Sequence, residues 1–111
     1  MTDAEKEPMR TAEKRIVEIA KSILNNSIDK LAGIRSINDL RFSTGWKEDP
    51  IFFPIRGIDS EADRFPPREL LPNFHDQYRG GIEKEIQSFE EYYKDDIVKA
   101  CRDLIDRFSQ E

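Results

Sequence analysis

"IEKEIQSFEEYYKDDIVKACRDLIDRF", Ile82 to Phe108, carries the most regular hydrophobic pattern in the chain. Ile82, Ile86, Phe89, Tyr93, Ile97, Ala100, Leu104 and Phe108 recur at steps of three or four, which puts them on one face of a long C-terminal helix. Toward its end Val98, Cys101 and Ile105 widen the apolar arc, so the last turns are expected to pack against two neighbours. Gly80 and Gly81 just before this run read as the helix start or as a kink, since glycine inside a helix costs up to ~1 kcal/mol relative to alanine.

Working outward, a first helix is expected from near Pro8, after the acidic "DAEKE" that suits the positive end of a helix dipole. Its apolar stripe is Met9, Ala12, Ile16, Ile19, Ala20, Ile23 and Leu24. "NNS" at Asn25 to Ser27 reads as a stop and restart, with Ser27 capping the next helix. That helix carries Ile28, Leu31, Ile34, Ile37 and Leu40 at every third position, a pattern that drifts by about 60° per step. It is therefore either covered on several sides or bent at Gly33, with Ser36 as a second cap. "FSTGW", Phe42 to Trp46, reads as a loop. "DPIFFPIRGIDS" begins with a good helix start at Asp49 and Pro50 and predicts a short, irregular helix. "RFPPRELLPN" is expected to be a surface loop with Phe65, Leu70 and Leu71 turned inward. The sum is an all-α, single compact domain over 1–111 of about four or five helices, with residues 1–7 flexible.

Composition narrows the function classes. In 111 residues, 37% are charged, 37% apolar and 10% aromatic, enough for one core and too little for paired substrate and cofactor domains. Asp and Glu outnumber Lys and Arg by 23 to 18, and the net charge of −5 argues against nucleic acid as a partner and for a basic protein. A lone cysteine, Cys101, suits a reducing cytoplasm. The charged start "MTDAEKEPMR" lacks the apolar centre of a signal peptide, and no run reaches membrane-spanning length, so a cytoplasmic protein without a membrane partner is expected.

"GIDSEAD", Gly57 to Asp63, is the densest chemical feature. Carboxylates at alternating positions suit calcium, yet the twelve-residue loop with its central glycine and terminal glutamate is missing. An acid-base pair would need a cleft and shifted pKa values. The bland reading is structural: Gly57 ends one helix, Asp59 or Ser60 caps the next turn, and Arg56 and Arg64 neutralise the carboxylates. The single histidine, His75, has no second histidine or cysteine near it in sequence to make a transition-metal site, and Cys101 sits between Ile97 and Ile105 as a buried thiol would. With no nucleophile elbow and no phosphate-cradling glycine loop, no catalytic residue, metal or cofactor is assigned.

One surface feature remains. Glu85, Tyr92, Asp96 and Asp103 line one flank of the C-terminal stripe, with Glu91, Asp95 and Asp106 outside them, diluted by Lys84, Lys99 and Arg102. Such charges ordinarily only solvate a helix. Tyrosine among acids is also a surface suited to a basic partner. The partner-binding candidates are therefore Glu85, Tyr92, Asp96 and Asp103, joined by Asp59, Glu61 and Asp63.

"DPIFFPIRGIDSEAD" followed by "FEEYYKDDIVKACRDLIDRF" resembles a family of small bacterial helical proteins of unknown function, over roughly Glu13 to Phe108. In that family a D-P start leads to a GIDSE-T/A-D segment, and the last helix ends in A-C-x-x-L-I-x-R-F. The chain departs from the pattern at "YRGG", where the family's helix looks continuous. In size, acidity and cysteine content the chain is also similar to immunity proteins of contact-dependent growth inhibition and related toxin systems. That resemblance implies neutralisation of a cognate basic toxin, often a nuclease, by covering its active site. The alternatives are an acidic regulatory or adaptor protein and, least favoured, an enzyme or metal-dependent module using Asp59, Glu61 and Asp63.

Overall fold

The computed structural model describes residues 3–109, with side chains from Lys6 onward. It is all-α. Helix α1 (Asp3–Leu24) begins five residues ahead of the expected start and carries Pro8 inside it on an exposed position. The flexibility expected for residues 1–7 falls partly outside the described residues; from Asp3 the backbone is helical.

The stop at "NNS" has a definite mechanism. Asn26 takes a left-handed conformation (φ 61°), its N–H returns to the Ile23 carbonyl, and the Ser27 N–H returns to that of Ser22. These bonds close a Schellman-type cap, which normally recruits glycine or asparagine. Because Ser27 is used up there, with its hydroxyl donating to Asn25, it is not the next N-cap. Asp29 is, accepting from the Ala32 N–H at 2.9 Å.

Helix α2 (Lys30–Leu40) runs unbroken through Gly33 and Ser36, so Ser36 does not recap the chain, and of the two alternatives coverage on several sides accounts for its pattern. Ile34 and Ile37 are fully buried, Leu31 and Leu40 half-buried, and α2 lies against both α1 and α3. Gly33 is needed for close approach, since a Cβ there would stand 2.8 Å from Ile23 Cδ1 and Cγ1. A tight turn at Arg41–Ser43 opens the expected loop, in which the Trp46 indole N–H donates to buried Glu13 at 3.1 Å. Asp49 then accepts from the Ile51 N–H at 2.9 Å and starts the tight turn Pro50–Phe52.

Helix α3 (Phe53–Ala62) follows directly, with Pro54 in the first turn, where a missing N–H costs little. Gly57 lies inside α3 and does not end it. The proline-rich stretch is partly ordered as a short 3₁₀ helix, Arg68–Asn73; Phe65 and Leu71 turn inward as expected, whereas Leu70 is 45% exposed.

Helix α4 (Asp76–Tyr92) is capped by His75, whose Nδ1 accepts from the Gln77 N–H, and passes unbroken through Gly80 and Gly81. Neither glycine has a neighbour within 4 Å of a would-be Cβ. The interruption falls instead at Tyr93 (φ −95°, ψ 6°), after which α5 (Lys94–Phe108) continues. The long C-terminal helix is thus two helices joined at one residue.

Helix α1 packs mainly on α5 and α2, and α2 on α3, around Ile16, Ile23, Ile34, Ile37, Phe52, Ile55, Ile97 and Leu104. Burying such side chains, about 1.5–3 kcal/mol each, is the main force assembling the bundle. Cys101 is fully buried in the same core, and burial pushes its thiol up to about 11. Helix α4 reaches that core through Ile86 and Phe89, while residues 72–81 are exposed and the molecule extends 55 × 26 × 24 Å. Among the described residues no helix is long and apolar enough to cross a membrane.

Candidate partner-binding surface

A helix turns about 100° per residue, so Asp59 and Asp63 share one side of α3 and Glu61 faces nearly the opposite way. The three carboxylates therefore do not converge. Asp59 accepts from Asn38 Nδ2 at 2.9 Å and Arg35 Nε at 3.4 Å, and Asp63 accepts from the Arg35 guanidinium at 3.0 Å. Their work is to bind α3 to α2. The reading of Asp59 or Ser60 as a cap is corrected by the unbroken helix, and the neutralising cation is Arg35. Arg56 reaches Glu48 at 3.4 Å, and Arg64 lies over the Phe65 and Phe89 rings.

Glu61 points to the junction of α4 and α5, where it accepts the Tyr93 hydroxyl proton. That hydrogen bond, reinforced by loss of solvent and by the charges of Glu61 and Asp96, pushes the Tyr93 phenol up to about 12. The Tyr93 ring leans on Phe89 (centroids 4.8 Å apart, 49° between planes) and meets the Tyr92 ring edge-on (4.8 Å, 83°). Tyr92 itself is 79% exposed.

Two grooves adjoin this tyrosine pair and share Glu61 and Tyr93. The larger, about 580 Å³, adds Arg64, Lys84, Glu85, Ser88 and Tyr92. The smaller, about 320 Å³, has Pro54, Gly57 and Ile58 along α3 and Asp96 on α5. Four of the seven candidates, Glu61, Glu85, Tyr92 and Asp96, thus gather around Tyr93. Asp59 and Asp63 lie on the other side of α3, and Asp103 lies farther along α5, holding Lys99 at 2.7 Å and raising its pKa.

The sequence reading missed Tyr93 as the centre of this surface, because its place in the apolar stripe marked it as core. It also missed Arg68, which donates to Glu83 at 3.1 Å, to Glu90 at 2.7 Å and to the α2 cap Asp29. The pKa of Arg68 is raised, chiefly by the bond to Glu90, and the cluster pins α4 to the start of α2. An arginine inside "PPREL" carries no sequence signal for such a role.

Among the described residues no three His, Cys, Asp or Glu side chains are grouped so as to hold a metal ion. The chain matches no family model, no curated protein and no solved structure.

Proposed function

We propose that this chain is a binding protein of the immunity class, which neutralises a basic toxin, such as a nuclease, by covering its active site. The observation that carries the reading is the surface around Tyr92 and Tyr93, where Glu61, Glu85 and Asp96 border two grooves on a chain of net charge −5. Exposed tyrosine supplies contact area at low entropic cost, and carboxylates around it steer a basic partner into place. Glu85 and Asp96 have no ion-pair partner among the described residues, so their charge is available to an incoming protein.

In this reading the other face of α3 keeps the scaffold rigid and the Tyr93 face makes the contact. The test begins with the neighbouring gene: a large toxin gene immediately upstream is the expected finding, an isolated gene would favour the adaptor, and growth rescue follows by co-expressing the chain with that toxin. Restored growth with the wild type, and weaker protection after Asp96→Lys with Glu85→Lys, would support the proposal. Full toxicity in the presence of folded wild-type chain would end it.

A further inference from the structure

We infer that the smaller groove is a socket for one arginine side chain of the partner. This inference rests on the binding reading above and specifies what the partner must present. The groove offers exposed Pro54 over a floor touched by the buried Ile58, the opening left by Gly57, the Tyr93 ring, and two carboxylates, Glu61 and Asp96. No cationic side chain lines it, whereas Arg64 and Lys84 are among the residues that line the larger groove. One oxygen of Glu61 is taken by the Tyr93 hydroxyl, which leaves Oε1 and the Asp96 carboxylate to accept from a guanidinium. A planar guanidinium matches such a site, since it stacks on aromatic rings and donates in fixed directions to carboxylates.

The rest of the molecule supports arginine as the occupant. Phe42, Phe53, Phe65, Phe89, Trp46 and Phe108 each have one of the chain's own arginines over or beside the ring. Tyr93, the ring that lines this groove, has none among the described residues, as is also true of Phe52, Phe74, Tyr78 and Tyr92. The aliphatic stem of the guest would lie against Pro54 above the buried Ile58, and its head would sit between Glu61 and Asp96.

The experiment is an NMR titration of the full chain with a blocked tripeptide carrying arginine and with the same peptide carrying citrulline, which keeps the shape and removes the charge. The arginine peptide should shift the Gly57, Ile58 and Tyr93 signals and saturate in the millimolar range, with citrulline about tenfold weaker. Gly57→Leu should abolish the response, and it has room to fold, because nothing lies within 4 Å of a Cβ at Gly57. Asp96→Asn, which fills no space, should weaken it severalfold. Equal response to citrulline, or an unchanged response in Gly57→Leu, would overturn the socket. Growth rescue separates the two ideas: rescue that survives Gly57→Leu removes the socket and spares the inhibitor, whereas peptide binding without rescue removes the inhibitor and spares the socket.

Discussion

The two sides of α3 carry carboxylates from one short stretch of sequence and use them in opposite ways. On one side Asp59 and Asp63 are bound to Arg35 and Asn38, and the Asp59 side chain is only 16% exposed. On the other, Glu61 holds a tyrosine at the rim of two open grooves. The difference teaches that "GIDSEAD" is two features interleaved by helical geometry. Alternate positions that would converge in a loop are driven apart in a helix.

The largest effect should come from two glycines in opposite settings, Gly33 of α2 closed against Ile23 of α1 and Gly57 on the open side of α3. Gly33→Val would push a branched side chain into Ile23 and cost about 2–3 kcal/mol in denaturant unfolding. Gly57→Ala, on the open side of α3, should be neutral or stabilising by up to ~1 kcal/mol. Similar losses at both positions would break the contrast between the closed contact of α2 with α1 and the open side of α3.

A smaller difference is expected between the carboxylates. Asp59→Ala removes acceptors from Asn38 and Arg35 at a half-buried contact and should cost about 1–2 kcal/mol. Glu61→Ala breaks one exposed hydrogen bond and should cost less than about 0.5 kcal/mol. Neither value should change with calcium or magnesium. A calcium-dependent rise in melting temperature that Asp59→Ala abolishes would restore a metal site.

Two alkaline titrations sharpen the comparison by cause. Cys101 is raised from its ordinary 9.0 to about 11 by burial alone. The unfolded thiol therefore ionises first, so its contribution to stability is complete below pH 9 and is lost as pH rises toward about 11. Cys101→Ser should flatten that part of the stability profile. Tyr93 is raised from 10.0 to about 12 chiefly by Glu61, so Glu61→Gln should return its absorbance titration toward 10.0 while leaving the thiol unchanged. A Tyr93 titration indifferent to Glu61→Gln would contradict the hydrogen bond.

Much of the fold was legible because burial leaves a periodic trace. The stripes of Ile16, Ile19, Ala20 and Ile23 and of Ile97, Ala100, Leu104 and Phe108 are core residues, as their spacing implied. The Asp49-Pro50 start and the burial of Cys101 followed from local chemistry. The errors occurred where one residue had two possible jobs. Ser27 could cap α2, but the end of α1 claimed it; Gly57, Gly80 and Gly81 could break helices, but each stayed inside one. The surface was legible only as a list of six acids and Tyr92. Which of them meet depends on the break at Tyr93 and on α3 lying beside it, and neither leaves a pattern in the sequence.

The measurement that bears most directly on the account is the association and dissociation kinetics of the chain with the purified toxin domain, as wild type, Asp59→Asn and Asp96→Lys. The account predicts a micromolar or tighter complex, an association rate reduced about tenfold or more by Asp96→Lys and by added salt, and rates unchanged by Asp59→Asn in chain that remains folded. No complex at micromolar concentration, or an association rate that responds to Asp59 and ignores Asp96, would contradict it.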